Sequence, residues 1–250
     1  MKKIFMTLAL AVASTLCALA QGPVKNIILV HGAFADGSGW EGVYNILTKQ
    51  GYNVVVDQNP LSSLEDDVAS VNRILDKMEG PVILVGHSWG GAVITQAGGS
   101  DKVAGLVYVA AFQPEVGETV LQLASSAPTL PEYGILPPDA QGNIYIDKAK
   151  FHKAFCADLP AAKAAFMCAS QGVWSAKGPT TPLTVAAWKT KPSWAIVATG
   201  DKCINPVIER TMYRRSGAST TEINGSHVVF ISHPAEVAKV IADAAMHAGK

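Results

Sequence analysis

One ten-residue stretch restricts the fold of this chain more than any other. Residues 82–91 read VILVGHSWGG, an apolar run followed by a turn with glycine two positions before and two after Ser88. The pattern predicts a buried strand, a strained turn and the start of a helix, with Ser88 at the apex of the turn. Such a turn needs a sheet to bury the strand and a helix to leave it, so it indicates an α/β architecture.

The rest of the chain repeats this strand-and-helix rhythm. Strands are predicted at 24–30, 52–56, 82–86, 103–109, 193–198 and 219–223, and helices at 40–50, 64–75, 90–98, 206–215 and 234–247. Ser62 or Ser63 is the expected cap of the second helix. Alternating strands and helices favour a mostly parallel sheet of about six strands with helices on both faces.

Residues 113–188 interrupt the rhythm. They are rich in proline, alanine and aromatic residues and contain no convincing strand pattern. We therefore expect a single domain over residues 21–250, with 113–188 inserted as a helical cap.

The 250 residues carry 20 basic and 20 acidic side chains. This neutral balance argues against a nucleic-acid partner, which would require a basic patch.

The first twenty residues have the pattern of a secretory signal peptide. Lys2 and Lys3 precede a mostly apolar run, and an Ala-Leu-Ala site ends at Ala20. We expect cleavage after about Ala20 and export to the periplasm or the medium. No other segment has the length and hydropathy to insert stably in a membrane.

Three cysteines follow the predicted cleavage site. Cys156 and Cys168 are spaced so that they would face each other across a helical hairpin, and an oxidising compartment permits a disulfide between them. The alternative is that Cys156, Cys168 and Cys203 are all buried, small apolar residues.

A serine hydroxyl is a weak nucleophile unless a base lies beside it. His227 directly follows the last predicted strand and is the best candidate for that base. Asp201 follows the preceding strand and is the best candidate to orient the imidazole, with Glu115 as the fallback acid. Because carboxyl ends of parallel strands share one edge of the sheet, Ser88, Asp201 and His227 are expected to meet there.

An acyl-transfer site also needs N–H donors for a developing oxyanion. The backbone N–H of Trp89, directly after Ser88, is one candidate. The second is expected from the loop after the first strand, where Gly32 permits a close approach of the backbone. We select the N–H of Ala33, with Phe34 as the second choice.

These motifs resemble those of the α/β-hydrolases. The resemblance is carried by Val30-His31-Gly32-Ala33, Gly39-Trp40, Gly86-His87-Ser88-Trp89-Gly90-Gly91, Asp201-Lys202 with Pro206, and Ser226-His227. It is closer to small bacterial esterases related to the plant methylesterase and hydroxynitrile lyase branch. Lyases of that branch tend to carry threonine and lysine where this chain has Gly32 and Val228, so the resemblance points to ester hydrolysis.

The resemblance implies that the cap covers the site and that aromatic side chains line an apolar pocket. The candidates for substrate contact are Phe34, Phe112, Tyr133, Phe155, Phe166 and Trp174, with Met167 and Trp188 as further possibilities. The alternative for each is that it packs the cap against the body. The expected substrate is a small to medium, largely apolar ester or lactone.

The expected reaction is hydrolysis through an acyl-enzyme, with no metal and no organic cofactor, since no cysteine–histidine cluster has ligand spacing. Lyase, perhydrolase or thioesterase chemistry on the same residues is the first alternative. A ligand-binding, receptor-like protein that keeps the fold is the second. The sequence leaves the oligomeric state open.

Overall fold

The computed structural model describes residues 22–248, which contain one six-stranded sheet and one short two-stranded sheet. In chain order the strands are β1 (Asn26–Val30), β2 (Asn53–Val56), β3 (Val82–His87), β4 (Val103–Val109), β5 (Asn143–Ile144), β6 (Trp174–Ser175), β7 (Ser193–Ala198) and β8 (Ser219–Ile223). The large sheet has the order β2-β1-β3-β4-β7-β8, and all its neighbouring strands are parallel. The predicted parallel sheet of about six strands is confirmed.

Ten α-helices lie within the described residues. They are α1 (Glu41–Lys49), α2 (Leu64–Lys77), α3 (Gly90–Ala97), α4 (Val120–Ala124), α5 (Phe151–Phe155), α6 (Ala161–Ala169), α7 (Lys177–Thr180), α8 (Pro206–Ser216), α9 (Val229–Ser232) and α10 (Pro234–His247). Short 3₁₀ turns occupy Gly37–Trp40 and Ala187–Lys189. Of the two predicted caps of α2, Ser63 is the one observed: its hydroxyl accepts from the N–H of Asp66.

The helices cover both faces of the sheet, as parallel strands require. On one face α1 packs against α10, and α10 contacts β4 and β7. On the other face α2 packs against α3, α3 contacts β1 and β3, and α8 contacts β7. Strand β3 lies in the middle of the sheet, and all of its residues are buried. The edge at which β3 ends is therefore a rigid platform for Ser88.

Residues 113–188 lie between β4 and β7 and contain α4 to α7. The prediction that this segment has no strand is wrong, because β5 and β6 pair within it as an antiparallel ladder. Each of these strands is two residues long. A strand of that length is too short to show an alternating pattern in the sequence.

The predicted signal peptide, residues 1–20, lies outside the described residues.

The predicted disulfide is not present, because Cys156, Cys168 and Cys203 are all free thiols. Helices α5 and α6 do pack together, as expected. Cys156 directly follows α5, however, whereas Cys168 borders a surface pocket with Phe151 and His152 at the opposite end of α5. Burial, with Asp158 nearby, raises the pKa of Cys156 to about 12. Across residues 22–248, no helix is both long enough and apolar enough to cross a membrane.

Candidate active site

The turn after β3 holds Ser88 in a strained conformation. Ser88 has a φ of 52°, which is uncommon for a residue with a side chain. A Cβ atom on Gly86 would lie 2.4 Å from the carbonyl oxygen of Gly90, and one on Gly90 would lie 2.7 Å from that of Val30. The two glycines are therefore required by close backbone contacts, and these contacts stabilise the turn that presents the Ser88 hydroxyl.

A chain of hydrogen bonds joins three buried side chains at this edge of the sheet. The Nε2 atom of His227 lies 2.8 Å from the Oγ of Ser88, and its Nδ1 lies 2.5 Å from Oδ2 of Asp201. Ser88, His227 and Asp201 are all buried. With a proton on Nδ1, the ring donates to Asp201 and keeps Nε2 free to accept the Ser88 proton, which is the arrangement a general base needs.

The Asp201 carboxylate is held by its own loop. Its Oδ1 accepts from the backbone N–H groups of Cys203 at 2.7 Å and Ile204 at 2.9 Å. The fallback acid, Glu115, lies elsewhere: it pairs with Lys189 at 2.7 Å, and that hydrogen bond lowers its pKa. Asp201, and not Glu115, is thus the acid that contacts His227.

A second histidine supports the backbone of His227. The Nε2 of His87 lies 3.0 Å from the carbonyl oxygen of His227, and the two rings pack at an angle of 53° with centroids 4.7 Å apart. Burial, and then the neighbouring His227, lowers the pKa of His87 well below its ordinary value. His87 is therefore neutral and donates from Nε2. The sequence assigned it no role beyond the turn.

The cap holds the His227 loop from the other side. Asp158, between α5 and α6, accepts hydrogen bonds from the N–H and the hydroxyl of Ser226 and from the hydroxyl of Ser232. Burial disfavours the charge on Asp158, but these hydrogen bonds outweigh it and lower its pKa. Sequence reasoning missed Asp158, since nothing local to it indicates a partner almost seventy residues away.

Three backbone N–H groups beside Ser88 have no hydrogen-bond acceptor among the described residues. They belong to Ala33, Phe34 and Trp89, which are buried and line the cavity above Ser88. Phe34 has a φ of 62°, which turns the loop after β1. Buried backbone N–H groups are normally paired, so these donors are free to bind a ligand oxygen.

The cavity above Ser88 has a volume of about 340 Å³ and is mostly apolar. It lies between the body and the segment 113–188. Its wall includes Ser88 and His227 and, from the predicted aromatic set, Phe34, Phe112, Tyr133 and Trp174. Its size falls in the range of small-molecule sites, about 300–1,000 Å³.

The other predicted aromatic residues do not line this cavity. Phe155 packs behind the His227 ring, with centroids 5.3 Å apart, and Trp188 donates its N–H to the carbonyl of Pro114. Phe166 is 66% exposed and, like Met167, borders a separate, smaller cavity. Ala164 is the buried residue of α6, and two positions along a helix correspond to about 200°. Phe166 therefore lies on the side of α6 away from Ala164, and it borders the smaller cavity together with Phe34 and Phe230 of the body.

One group of possible metal ligands is present in the described part of the chain, namely Asp201, Cys203 and His227, with ligand atoms within 4.8 Å of one another. No ligand spacing in the sequence indicates this group, because only the fold brings the three residues together. Asp201 and His227 already bind each other, and the Cys203 thiol donates to the carbonyl of Ala154. Burial, with Asp201 beside it, raises the pKa of Cys203 well above its ordinary value. These residues form a hydrogen-bonded group.

A buried acid fixes the side chain of Trp89. Asp67 accepts from the indole N–H of Trp89 at 2.6 Å and from the backbone N–H of Leu61 at 2.7 Å. A weaker bond comes from the Asn59 amide. Burial raises the pKa of Asp67 to about 6, although all three hydrogen bonds oppose the increase. Asp67 thereby connects α2 to the residue that follows Ser88.

Comparison with known proteins gives one consistent picture. The model of the alpha/beta hydrolase family matches residues 27–240. A pyrethroid hydrolase of Sphingobium wenxiniae is 29% identical over 88% of this chain and 87% of its own length. A carbendazim hydrolyzing esterase of a Nocardioides species is 35% identical over 46% of this chain and 50% of its own.

Solved structures show the same similarity. The crystal structure of a pyrethroid hydrolase has a TM-score of 0.76 and 26% identity, covering 91% of this chain and 99% of its own. Polyneuridine aldehyde esterase has a TM-score of 0.74 at 15% identity, covering 88% of this chain and 98% of its own. At that identity the second likeness shows the fold alone.

The substitution Gly86→Ala should destabilise the protein because its Cβ would meet the Gly90 carbonyl oxygen at 2.4 Å. We expect the free energy of unfolding to fall by about 1–3 kcal/mol, as for other overpacked sites. Urea unfolding measures it. Gly22→Ala is the control, since no atom lies within 4 Å of its Cβ. Equal stability of the two variants would contradict the required close contact.

The substitution Asp67→Asn should destabilise the protein at pH 7, because an amide nitrogen would face one of the buried donors. The expected loss is about 1–3 kcal/mol in urea unfolding. Asp66→Asn, at the neighbouring exposed position, is the matched control. Equal losses for the two variants would show that Asp67 does not hold Trp89.

The raised pKa of Asp67 also predicts how the stability difference between the wild type and Asp67→Asn depends on pH. The pKa of Asp67 is about 6 in the folded protein and 3.8 ordinarily, so the folded state binds this proton more tightly. The stability of the wild type relative to Asp67→Asn should therefore increase as the pH falls from about 6 to about 4. Urea unfolding across that range measures it, and a constant difference would contradict the raised pKa.

Proposed function

Because the chain belongs to the alpha/beta hydrolase family, we propose that it hydrolyses carboxylic esters through an acyl-enzyme formed on Ser88. The observation that carries the proposal is the hydrogen-bond chain from Asp201 through His227 to Ser88, which ends at the wall of an apolar cavity. The pyrethroid hydrolase and the carbendazim esterase among its relatives support ester hydrolysis as the reaction class.

In the first step the Ser88 oxygen attacks the ester carbonyl carbon while its proton moves to Nε2 of His227. The Asp201 carboxylate stabilises the resulting imidazolium through Nδ1–H. The negative charge that develops on the carbonyl oxygen is stabilised by the N–H groups of Ala33 and Trp89, which have no acceptor within the described chain. The Phe34 N–H is the alternative donor.

In the second step the carbon–oxygen bond to the alcohol breaks, and His227 returns the proton to the leaving alkoxide. Ser88 then carries the acyl group. Water attacks this ester and gives its proton to His227, and the carboxylic acid is released as Ser88 regains the proton. The hydrogen bond from His87 to the His227 carbonyl and the hydrogen bonds from Ser226 to Asp158 keep the imidazole in place throughout.

The cavity favours a neutral, largely apolar ester. Among the described residues that line it, none is aspartate, glutamate, lysine or arginine. Leu121, Ile135 and Leu136 lie with the aromatic residues on its wall. A charged substituent buried there would lose its hydration without gaining a partner of opposite charge.

The substitution Ser88→Ala should abolish hydrolysis of p-nitrophenyl butyrate, lowering kcat by about 10⁴-fold or more. Asp201→Asn should lower kcat by about 10⁴-fold because the imidazole is no longer held in the required tautomer. Release of p-nitrophenolate measures both, and Glu115→Gln is the control that should keep full activity. A wild type no faster than Ser88→Ala, yet able to bind the ester, would favour a ligand-binding protein instead.

A matched pair of substrates tests the neutral cavity. p-Nitrophenyl butyrate and p-nitrophenyl hemisuccinate share a leaving group and a short acyl chain, but the second is anionic. We expect kcat/KM to be about 100-fold or more lower for the hemisuccinate, since the carboxylate must be desolvated without a partner. Comparable values would contradict an uncharged binding cavity.

A further inference from the structure

A buried glutamate lies behind the candidate site and has no part in the chemistry proposed above. Glu209, in the first turn of α8, is fully buried. Its Oε2 accepts from the backbone N–H of Ala198, at the end of β7, at 3.2 Å. Its Oε1 has no donor among residues 22–248. A carboxylate left in that state would be costly, so the protonation of Glu209 needs an explanation.

Within residues 22–248, no lysine, arginine or histidine forms an ion pair with Glu209. The neighbouring Arg210 forms a two-point ion pair with Glu222 at the surface, at 2.7 and 2.9 Å. The Tyr213 hydroxyl, one turn along α8, donates its single proton to the carbonyl of Ala111. Burial raises the pKa of Tyr213 well above its ordinary value, so the hydroxyl stays neutral.

The remaining neighbour is Asp201. Its backbone N–H donates to the carbonyl of Ala198, whose own N–H donates to Glu209, and a hydrogen bond with the Asp201 side chain is among the causes that raise the pKa of Glu209. Two carboxyl groups share a hydrogen bond only when one of them holds a proton. Asp201 already accepts from Cys203, Ile204 and His227. That leaves room for about one more donor on a carboxylate with four acceptor positions.

Of the two acids, Glu209 holds the proton because it receives fewer hydrogen bonds than Asp201. Hydrogen bonds from donors stabilise the charged form of an acid, and Asp201 receives three such bonds whereas Glu209 receives one. Two charges this close in a buried site are strongly unfavourable, so the acid with fewer donors stays neutral. Burial, followed by the nearby Asp201, raises the pKa of Glu209 well above its ordinary value.

We propose that Glu209 is a neutral carboxylic acid whose Oε1–H donates to Asp201, which makes it a positioning residue for the Asp201–His227 pair. The role in turnover rests on the function proposed above, but the protonation state does not. The donated bond adds a fourth hydrogen bond to the Asp201 carboxylate, beside those from Cys203, Ile204 and His227. It also keeps a second negative charge away from the imidazole.

The first test reads the protonation state without any turnover. Infrared spectra at pH 8, above the pKa of Asp67, should show the C=O stretch of a neutral carboxylic acid in the wild type, and Glu209→Gln should lack it. Loss of carboxylate bands instead of that stretch would overturn the proposal. Because no substrate is needed, this result stands even if the protein proves not to be an esterase.

The second test reads the charge near His227 through the pH profile. Glutamine also donates to Asp201 and is neutral, so Glu209→Gln should keep kcat/KM for p-nitrophenyl butyrate within about threefold and leave the acidic limb in place. If Glu209 were ionised, the same variant would remove a negative charge and move the acidic limb to lower pH. Such a shift would overturn the proposal.

The third test removes the donor while keeping the length of the side chain. Glu209→Met should lower kcat by about 10- to 100-fold, with little change in KM, because a hydrogen bond to a charged group is lost. An unchanged kcat in a folded Glu209→Met variant would overturn the positioning role. If Glu209→Met does not fold, the pH profile of Glu209→Gln and the infrared spectra test the proposal instead.

Discussion

Three backbone segments meet around Ser88 with no space between them for a side chain, and the site depends on that contact. A Cβ atom on Gly32 would lie 2.7 Å from the Ser88 Cβ, and one on Gly91 would lie 2.2 Å from the carbonyl oxygen of Phe112. This packing places the loop after β1 beside the end of β3. It brings the N–H groups of Ala33 and Trp89 to one cavity wall and holds Ser88 at a positive φ.

Features that depend on local sequence patterns could be predicted from the sequence. The parallel sheet, the turn at Ser88 and the order of serine, aspartate and histidine all follow from short motifs at the ends of strands. The segment 113–188 was harder, because its contacts are set by tertiary packing. Trp174 and Phe166 are both aromatic residues of that segment, yet Trp174 lines the cavity while Phe166 is exposed. No local pattern distinguishes them.

The residues that hold the catalytic side chains in place could not be predicted from the sequence for the same reason. Asp158 and Glu209 reach the site only because α8 packs on β7 and because the cap folds over the His227 loop. His87 was visible as part of the turn, but its contact with the His227 carbonyl crosses from β3 to the loop after β8. Sequence motifs identify groups that react, whereas the groups that hold them are found only in the folded chain.

The attachment of Asp158 to Ser226 and Ser232 couples the inserted segment to the loop of the base. The same inserted segment encloses the substrate cavity and secures the loop of the base, so selectivity and reactivity do not vary independently. A cap exchanged between homologues would transfer a new pocket but also a new support for the imidazole. A cap without an acceptor at position 158 would leave the Ser226 N–H and the hydroxyls of Ser226 and Ser232 without this partner.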